Sequence, residues 1–161
     1  MTQAQTLVAL ARSKELRVAT AESCTGGMVS AAITDVAGSS AVFDRGFVTY
    51  TNAAKVQMLN VKPETLELYG AVSEQIAVQM AHGALANSRA DIAVSITGIA
   101  GPGGSDHKPE GRVCFALCTK NQTRSETIEF GAIGRATVRA AATQHALCLL
   151  ITEVTSHSVK K

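Results

Sequence analysis

The chain has 161 residues, enough for one domain of common size with a substantial core. Hydrophobic residues make up 46% and charged residues only 17%, below the roughly 25% charged of an average soluble protein; so little charge leaves apolar surface to hide, and a homo-oligomer is expected. The net charge of +2 has no basic run behind it except Lys160-Lys161, and aromatic residues are 4%, which argues against a nucleic-acid surface.

Ala4, Leu7, Val8 and Ala11, spaced by threes and fours, predict a first helix over residues 3–14. The β-branched run Leu16 to Thr20 reads as a buried strand, and Met28 to Val36 as a helix that Gly38-Ser39-Ser40 ends. Gly46 to Tyr50 is a second strand, with Asn52 placed to cap a helix reaching Leu59. Pro63 opens and Gly70 closes a short helix. Ser73 then caps the longest central helix, which carries an apolar stripe at Ile76, Ala77, Met80, Ala81, Ala84 and Leu85. Asp91 to Thr97, small and nearly all apolar, is a third and central strand.

A glycine-rich loop from Gly98 to Gly111 follows, long enough to suggest a functional segment rather than a plain connection. Arg112 to Thr119 and Thr123 to Phe130 form a hairpin about Lys120-Asn121-Gln122. A last helix runs from about Arg135 to Val154, and the polar tail beyond it should fray. The expected fold is a single α/β domain over residues 1–161, a three-layer α/β/α sandwich on a mixed, mostly parallel sheet of about five strands with a C-terminal antiparallel hairpin. Neither GxxxxGK[ST] nor a GxGxxG opening a helix occurs, so the common nucleotide loops are absent.

No apolar run reaches the length of a membrane span, and Met1 to Gln5 lacks the regions of a signal peptide, so a cytoplasmic, reducing setting without membrane partners is expected. Cys24, Cys114, Cys118 and Cys148 have neither CxxC spacing nor histidines at metal-finger distances, and no metal or cofactor is expected. Cys114, Cys118 and Cys148 read as core thiols.

The chemistry centres on Ala21-Glu22-Ser23-Cys24-Thr25-Gly26-Gly27, a strand-to-helix turn of the kind that binds ligands beyond the carboxyl ends of strands in open α/β sheets. Helix N–H groups and the two glycines would favour an anion or a developing oxyanion there, although Ser23 or Thr25 capping the helix accounts for the same residues. Ser23 needs a base, and His82, His107, His145 and His157 are not placed to supply one. Lys55 is better placed, in the first turn of its helix, where the dipole disfavours an ammonium; working near pH 7 to 8 requires a drop of about three units, which burial and the dipole together could supply. Composition alone favours a solvent-facing lysine instead. If the first three strands run parallel, their carboxyl ends bring Ser23, Tyr50, Lys55 and Thr97 to one edge. Arg135 and Arg139 open the last helix, where a phosphate site and a pair of solvent-facing arginines are both open readings.

Ala21 to Gly27, Gly46 to Lys55, Gly70 to Glu74 and Ser95 to Gly104 together resemble the signatures of the CinA C-terminal domain family, the nicotinamide-nucleotide amidohydrolases, over nearly the whole chain. The resemblance implies a metal-independent deamidase that converts nicotinamide mononucleotide to nicotinic acid mononucleotide and ammonia. It places the nucleophile on Ser23 and the base on Lys55, with Tyr50 and Thr97 as accessory positions. Main-chain N–H groups of Cys24, Thr25, Gly26 and Gly27, helped by Thr97 or by the loop from Gly98 to Gly101, would hold the oxyanion. Many relatives carry a further N-terminal domain that this sequence lacks, so its activity is not expected here. The glycine loop also departs from the family pattern, one residue shorter and with Asp106-His107 where an acidic pair is usual. Two rival readings remain: a non-catalytic pyridine-nucleotide-binding module associated with competence and DNA damage, and an amidase for another nicotinamide-like amide in which Cys24 rather than Ser23 attacks.

Overall fold

Six helices and five strands are described over residues 1–160 in a computed structural model; they alternate through the second strand, after which three helices and then three strands follow in succession before the last helix. They are α1 (Gln3–Ser13), β1 (Val18–Glu22), α2 (Met28–Thr34), β2 (Phe43–Val48), α3 (Asn52–Leu59), α4 (Pro63–Tyr69), α5 (Glu74–Ala86), β3 (Ile92–Gly98), β4 (Arg112–Cys118), β5 (Thr123–Glu129) and α6 (Arg135–Ser156). The sheet order is β2-β1-β3-β4-β5. β1 pairs parallel with both β2 and β3, and β4 pairs antiparallel with both β3 and β5. The sheet is therefore evenly divided between parallel and antiparallel pairings, where a mostly parallel one was expected, because β4 runs antiparallel to β3 as well as to its hairpin partner β5.

Register decides where chemistry can sit. Glu22 stands opposite Val48 on one side and Ile96 on the other, so the carboxyl ends of β1, β2 and β3 fall at one edge. The loops to α2, α3 and β4 leave from that edge.

Side chains alternate across the sheet with a difference in size. Ile92, Val94, Ile96, Val113, Phe115 and Leu117 join the core that contains α1, α2 and α6 residues. The opposite face presents Ala19, Ala21, Ala93, Cys114, Ala116 and Cys118 to α5 and the end of α3. Small residues let α5 lie close to the sheet, and the Ser95 hydroxyl donates to the Ala77 carbonyl across that short gap. Gly83 of α5 continues the same close approach: a Cβ there would lie 2.1 Å from the Leu59 carbonyl oxygen at the end of α3.

Several local expectations shift. β1 starts two residues late and takes in Ala21 and Glu22, so the turn is shorter than its motif. β2 begins at Phe43 and ends before Tyr50, which lies in the connection to α3. Thr51, not Asn52, caps α3 through its hydroxyl on the Ala54 N–H. Cys148 is exposed, contrary to its reading as a core thiol, because the apolar stripe of α6 runs through Leu147 and Leu150 instead. α6 extends to Ser156, and the Lys14 ammonium donates to the carbonyls of Val154, Thr155 and His157 at its end.

Gly83→Ala is expected to destabilise the chain by about 1–3 kcal/mol, as overpacking against fixed backbone does. A lowered urea midpoint checks this, and an unchanged one would show that α5 and the end of α3 can move apart.

Candidate active site

Ser23 follows β1 directly, and its N–H donates to the Ile96 carbonyl at 2.9 Å, so the turn stays fastened to β3 past the strand's end. The turn closes tightly. Gly26 N–H donates to the Ser23 carbonyl and Met28 N–H to the Thr25 carbonyl, both at 3.0 Å, and Gly26 and Gly27 have φ of 59° and 106°, the left-handed region that glycine tolerates.

An anion does occupy the α2 N-terminus, but it belongs to the protein. The fully buried Glu22 carboxylate accepts from Val29 N–H at 2.9 Å, Ser30 N–H at 3.0 Å and the Ser30 hydroxyl at 2.8 Å. It satisfies the donors that the helix dipole offers, so neither Ser23 nor Thr25 caps α2. Sequence reasoning passed over Glu22. Its signal was a lone acidic residue at the end of an otherwise small and apolar strand, seven residues before Val29.

Lys55 comes from the facing helix α3 and is 1% exposed; Ser23 is 7% exposed. The Lys55 Nζ donates to Ser23 Oγ at 2.9 Å and to the Thr49 carbonyl at 3.0 Å, and the Tyr50 carbonyl lies 3.4 Å away. No carboxylate pairs with it among the described residues. Burial disfavours the ammonium and lowers its pKa to about 8. Two of its three partners are carbonyls, which only accept, so a neutral Lys55 directs its two N–H groups to them and its lone pair to the Ser23 hydroxyl. The solvent-facing lysine that composition favours is thus replaced by a buried amine poised to take a proton.

Cys24, also buried, differs in kind. Desolvation pushes its thiol up to about 11, against smaller lowering effects from its own N–H, Arg139 and Lys55, so it stays protonated near neutrality.

A cavity of about 340 Å³ opens over Ser23 and Lys55, bordered by Tyr50, Thr97, Arg135 and the glycine loop. Thr97 lines it, yet its hydroxyl donates to the Ala71 carbonyl at 2.8 Å and so reaches the cavity only as an acceptor. Tyr50 is 57% exposed; its hydroxyl accepts from Arg135 Nη2 at 2.9 Å and does not bond to Ser23 or Lys55. Arg135 also donates to the Gly101 carbonyl at 2.8 Å, tying α6 to the glycine loop. Gly98 and Gly101 border the cavity as expected; a Cβ on Gly101 would collide with the Glu110 carboxyl. Arg139 points elsewhere, donating to the Cys24 and Thr25 carbonyls behind the turn. Lys108 lines the cavity too, a cation the sequence reading did not select, with its ammonium on the Tyr69 and Val72 carbonyls. The larger groove beside it, about 940 Å³ between α5 and β5, holds the exposed Ser125 and Thr127 hydroxyls, both donating to the Glu74 carboxylate at 2.8 Å, and its Arg112 and Glu129 are already paired with each other.

The fold and site together define an α/β protein with a buried serine–lysine pair at the carboxyl edge of its parallel strands. The profile of the CinA C-terminal domain matches residues 1–154, and the chain belongs to that family. The nicotinamide-nucleotide amidohydrolase PncC of Escherichia coli K12 is 55% identical over 137 residues, 84% of this chain and 83% of the relative. A CinA-like protein of Syntrophobacter fumaroxidans is 48% identical over 91% of this chain, which spans only 35% of that longer relative. Among solved structures, the competence/damage inducible protein CihA from Agrobacterium tumefaciens superposes with a TM-score of 0.89 at 49% identity, covering 97% of this chain and 98% of that one. A CinA superfamily protein from Klebsiella pneumoniae gives 0.92 at 35% identity, over 96% and 97%.

Lys55 binds its proton below pH about 8 when folded and below about 10.4 when unfolded, so between those values the unfolded chain holds the extra proton and stability rises with pH. Urea unfolding of the parent and Lys55→Met at pH 7.5, 9 and 10 is expected to show the parent gaining relative to the variant across this window. A constant difference would contradict the lowered value.

Proposed function

We propose that this chain hydrolyses the carboxamide of nicotinamide mononucleotide to nicotinic acid mononucleotide and ammonia, with Ser23 as nucleophile and Lys55 as base. The observation that carries the reading is the 2.9 Å contact between a buried, uncompensated lysine and a serine hydroxyl at the floor of a cavity. The 55% identity to the Escherichia coli amidohydrolase supports the substrate.

In this reading the Ser23 Oγ attacks the amide carbon as its proton passes to the neutral Lys55 amine, and the carbonyl oxygen becomes an oxyanion. The C–N bond then breaks, and Lys55 returns the proton to the departing nitrogen, which leaves as ammonia. A nicotinoyl ester remains on Ser23. Water attacks that ester, Lys55 takes its proton, and collapse expels the Ser23 oxygen, which recovers the proton from Lys55. The thiol of Cys24, held protonated, takes no covalent part.

The helix dipole of α2 is already satisfied by Glu22, so the oxyanion falls to main-chain N–H groups, chiefly that of Cys24, with help from the Gly98 to Gly101 segment. Thr97, its proton committed to Ala71, braces this segment. Arg135 and Lys108 are the cations other than Lys55 that border the cavity, and they are the groups to meet the substrate phosphate. Tyr50 orients Arg135 through its hydroxyl.

Ammonia release from nicotinamide mononucleotide, with chelator present, tests the reading. The parent is expected to release it and Ser23→Ala to lose activity by about 10³-fold or more. Cys24→Ala should keep most activity. The rate at low substrate should rise with pH through about 8 as Lys55 loses its proton. No release from a folded parent that still binds the nucleotide would favour a binding module. Loss in Cys24→Ala equal to that in Ser23→Ala would transfer the attack to the thiol.

A further inference from the structure

Two charged side chains close the turn that carries Ser23. Glu22 does so from within, through α2. Arg139 does so from behind, one turn into α6, where its Nε donates to the Cys24 carbonyl at 3.0 Å and its Nη2 to the Thr25 carbonyl at 3.4 Å. Arg135, four residues earlier on the same helix, borders the Ser23 cavity, and Arg139 is not among its lining residues. The guanidinium lies against Gly26, where φ is +59° and a Cβ would come within 3.3 Å of Nη2. A side chain at residue 26 would be strained and would also press on the guanidinium.

Peptide planarity carries that grip toward the reacting centre. In a trans peptide the carbonyl and the N–H of one plane point in opposite directions. The Gly26 N–H on the Ser23 carbonyl, at 3.0 Å, fixes the plane that contains the Cys24 N–H and turns that N–H away from the turn's interior. Arg139 on the Cys24 carbonyl fixes the next plane. Cys24 is thereby held on both sides, and its N–H donates to no main-chain carbonyl among the described residues. The neighbouring donors of α2 are not free: Glu22 takes those of Val29 and Ser30, and the Thr25 carbonyl takes that of Met28.

We propose that Arg139 is a positioning residue for the hydrolysis: by gripping the Cys24 and Thr25 carbonyls it aims the main-chain N–H beside Ser23 at the developing oxyanion, without touching the substrate. This rests on the assignment of Ser23 as nucleophile. A residue acting this way lowers the barrier after binding, so its loss falls on kcat and leaves KM in place.

The test is steady-state kinetics of Arg139→Ala on nicotinamide mononucleotide across pH 6.5–9.5, beside the parent and Ser23→Ala, with thermal melts of each. The expected result is a kcat lowered about 10²-fold, the size of losing one oxyanion donor, with KM within about twofold of the parent. The rise of rate with pH should keep its midpoint, because Arg139 does not contact Lys55. Added guanidinium ion should restore part of the lost kcat by entering the vacated space. A KM raised about tenfold at unchanged kcat would make Arg139 a substrate contact and overturn the proposal, as would unchanged values of both. Should Arg139→Ala fail to fold, Arg139→Lys keeps one donor, and a smaller fall in kcat at constant KM is expected, with the same contrary results. Full activity in Ser23→Ala would remove the assignment on which the proposal rests, whatever Arg139 does.

Discussion

An amine buried without a counter-charge is the constraint that the rest of this structure serves. Lys55 is 1% exposed, touches two carbonyls and one hydroxyl, and meets no carboxylate among the described residues. A lysine in that setting is stabilised mainly by losing its proton, which turns an unfavourable burial into a base at near-neutral pH. The surrounding fold supplies the rigidity that keeps water from relieving it. Gly83 lets α5 press on the end of α3, Thr51 caps the start of that helix, and the parallel register of β1 with β2 brings Thr49 and Ser23 to the same edge.

The two acidic and basic groups nearest the serine turn keep apart from this amine in an instructive way. Glu22 faces α2 and takes three donors there, while Arg139 faces the back of the turn and holds two carbonyls. Glu22 is satisfied by two main-chain N–H groups and the Ser30 hydroxyl and Arg139 by two carbonyls, so neither pairs with Lys55. The turn can be fixed electrostatically while the base stays uncharged. The adjacent thiol of Cys24 follows the same rule: burial raises it and so prevents an ion pair with Lys55 that would hold both groups charged.

Much of this was legible in the sequence where a residue type had one physical use. The glycines of the serine turn, the Ser73 cap, the small central strand and the hairpin all follow from local rules, and the convergence of Ser23, Lys55 and Thr97 follows from three parallel strands. What was not legible depends on neighbours far along the chain. That Glu22 rather than a hydroxyl caps α2 depends on β1 running two residues further than its β-branched core suggests. Arg135 and Arg139 lie one turn apart on nearly the same face of α6, and the roughly 6 Å between them along the helix axis brings one to the cavity and the other to the turn. Lys108 enters the site because its loop folds back onto the α4–α5 connection, at a distance of 36 residues along the chain from Val72. Cys148 sits on an apolar-looking run, and only the phase of α6 against β4 shows that it faces outward.

The most direct test of the central claim is to trap the ester. Parent chain mixed with excess nicotinamide mononucleotide at pH 8, quenched in acid within the first turnovers and digested, should yield a nicotinoyl-nucleotide adduct on the peptide that contains Ser23, located on Ser23 itself by fragmentation and missing from Ser23→Ala. An adduct on Cys24, or ammonia released by the parent with no adduct on Ser23 at any quench time, would contradict a serine nucleophile served by a buried lysine.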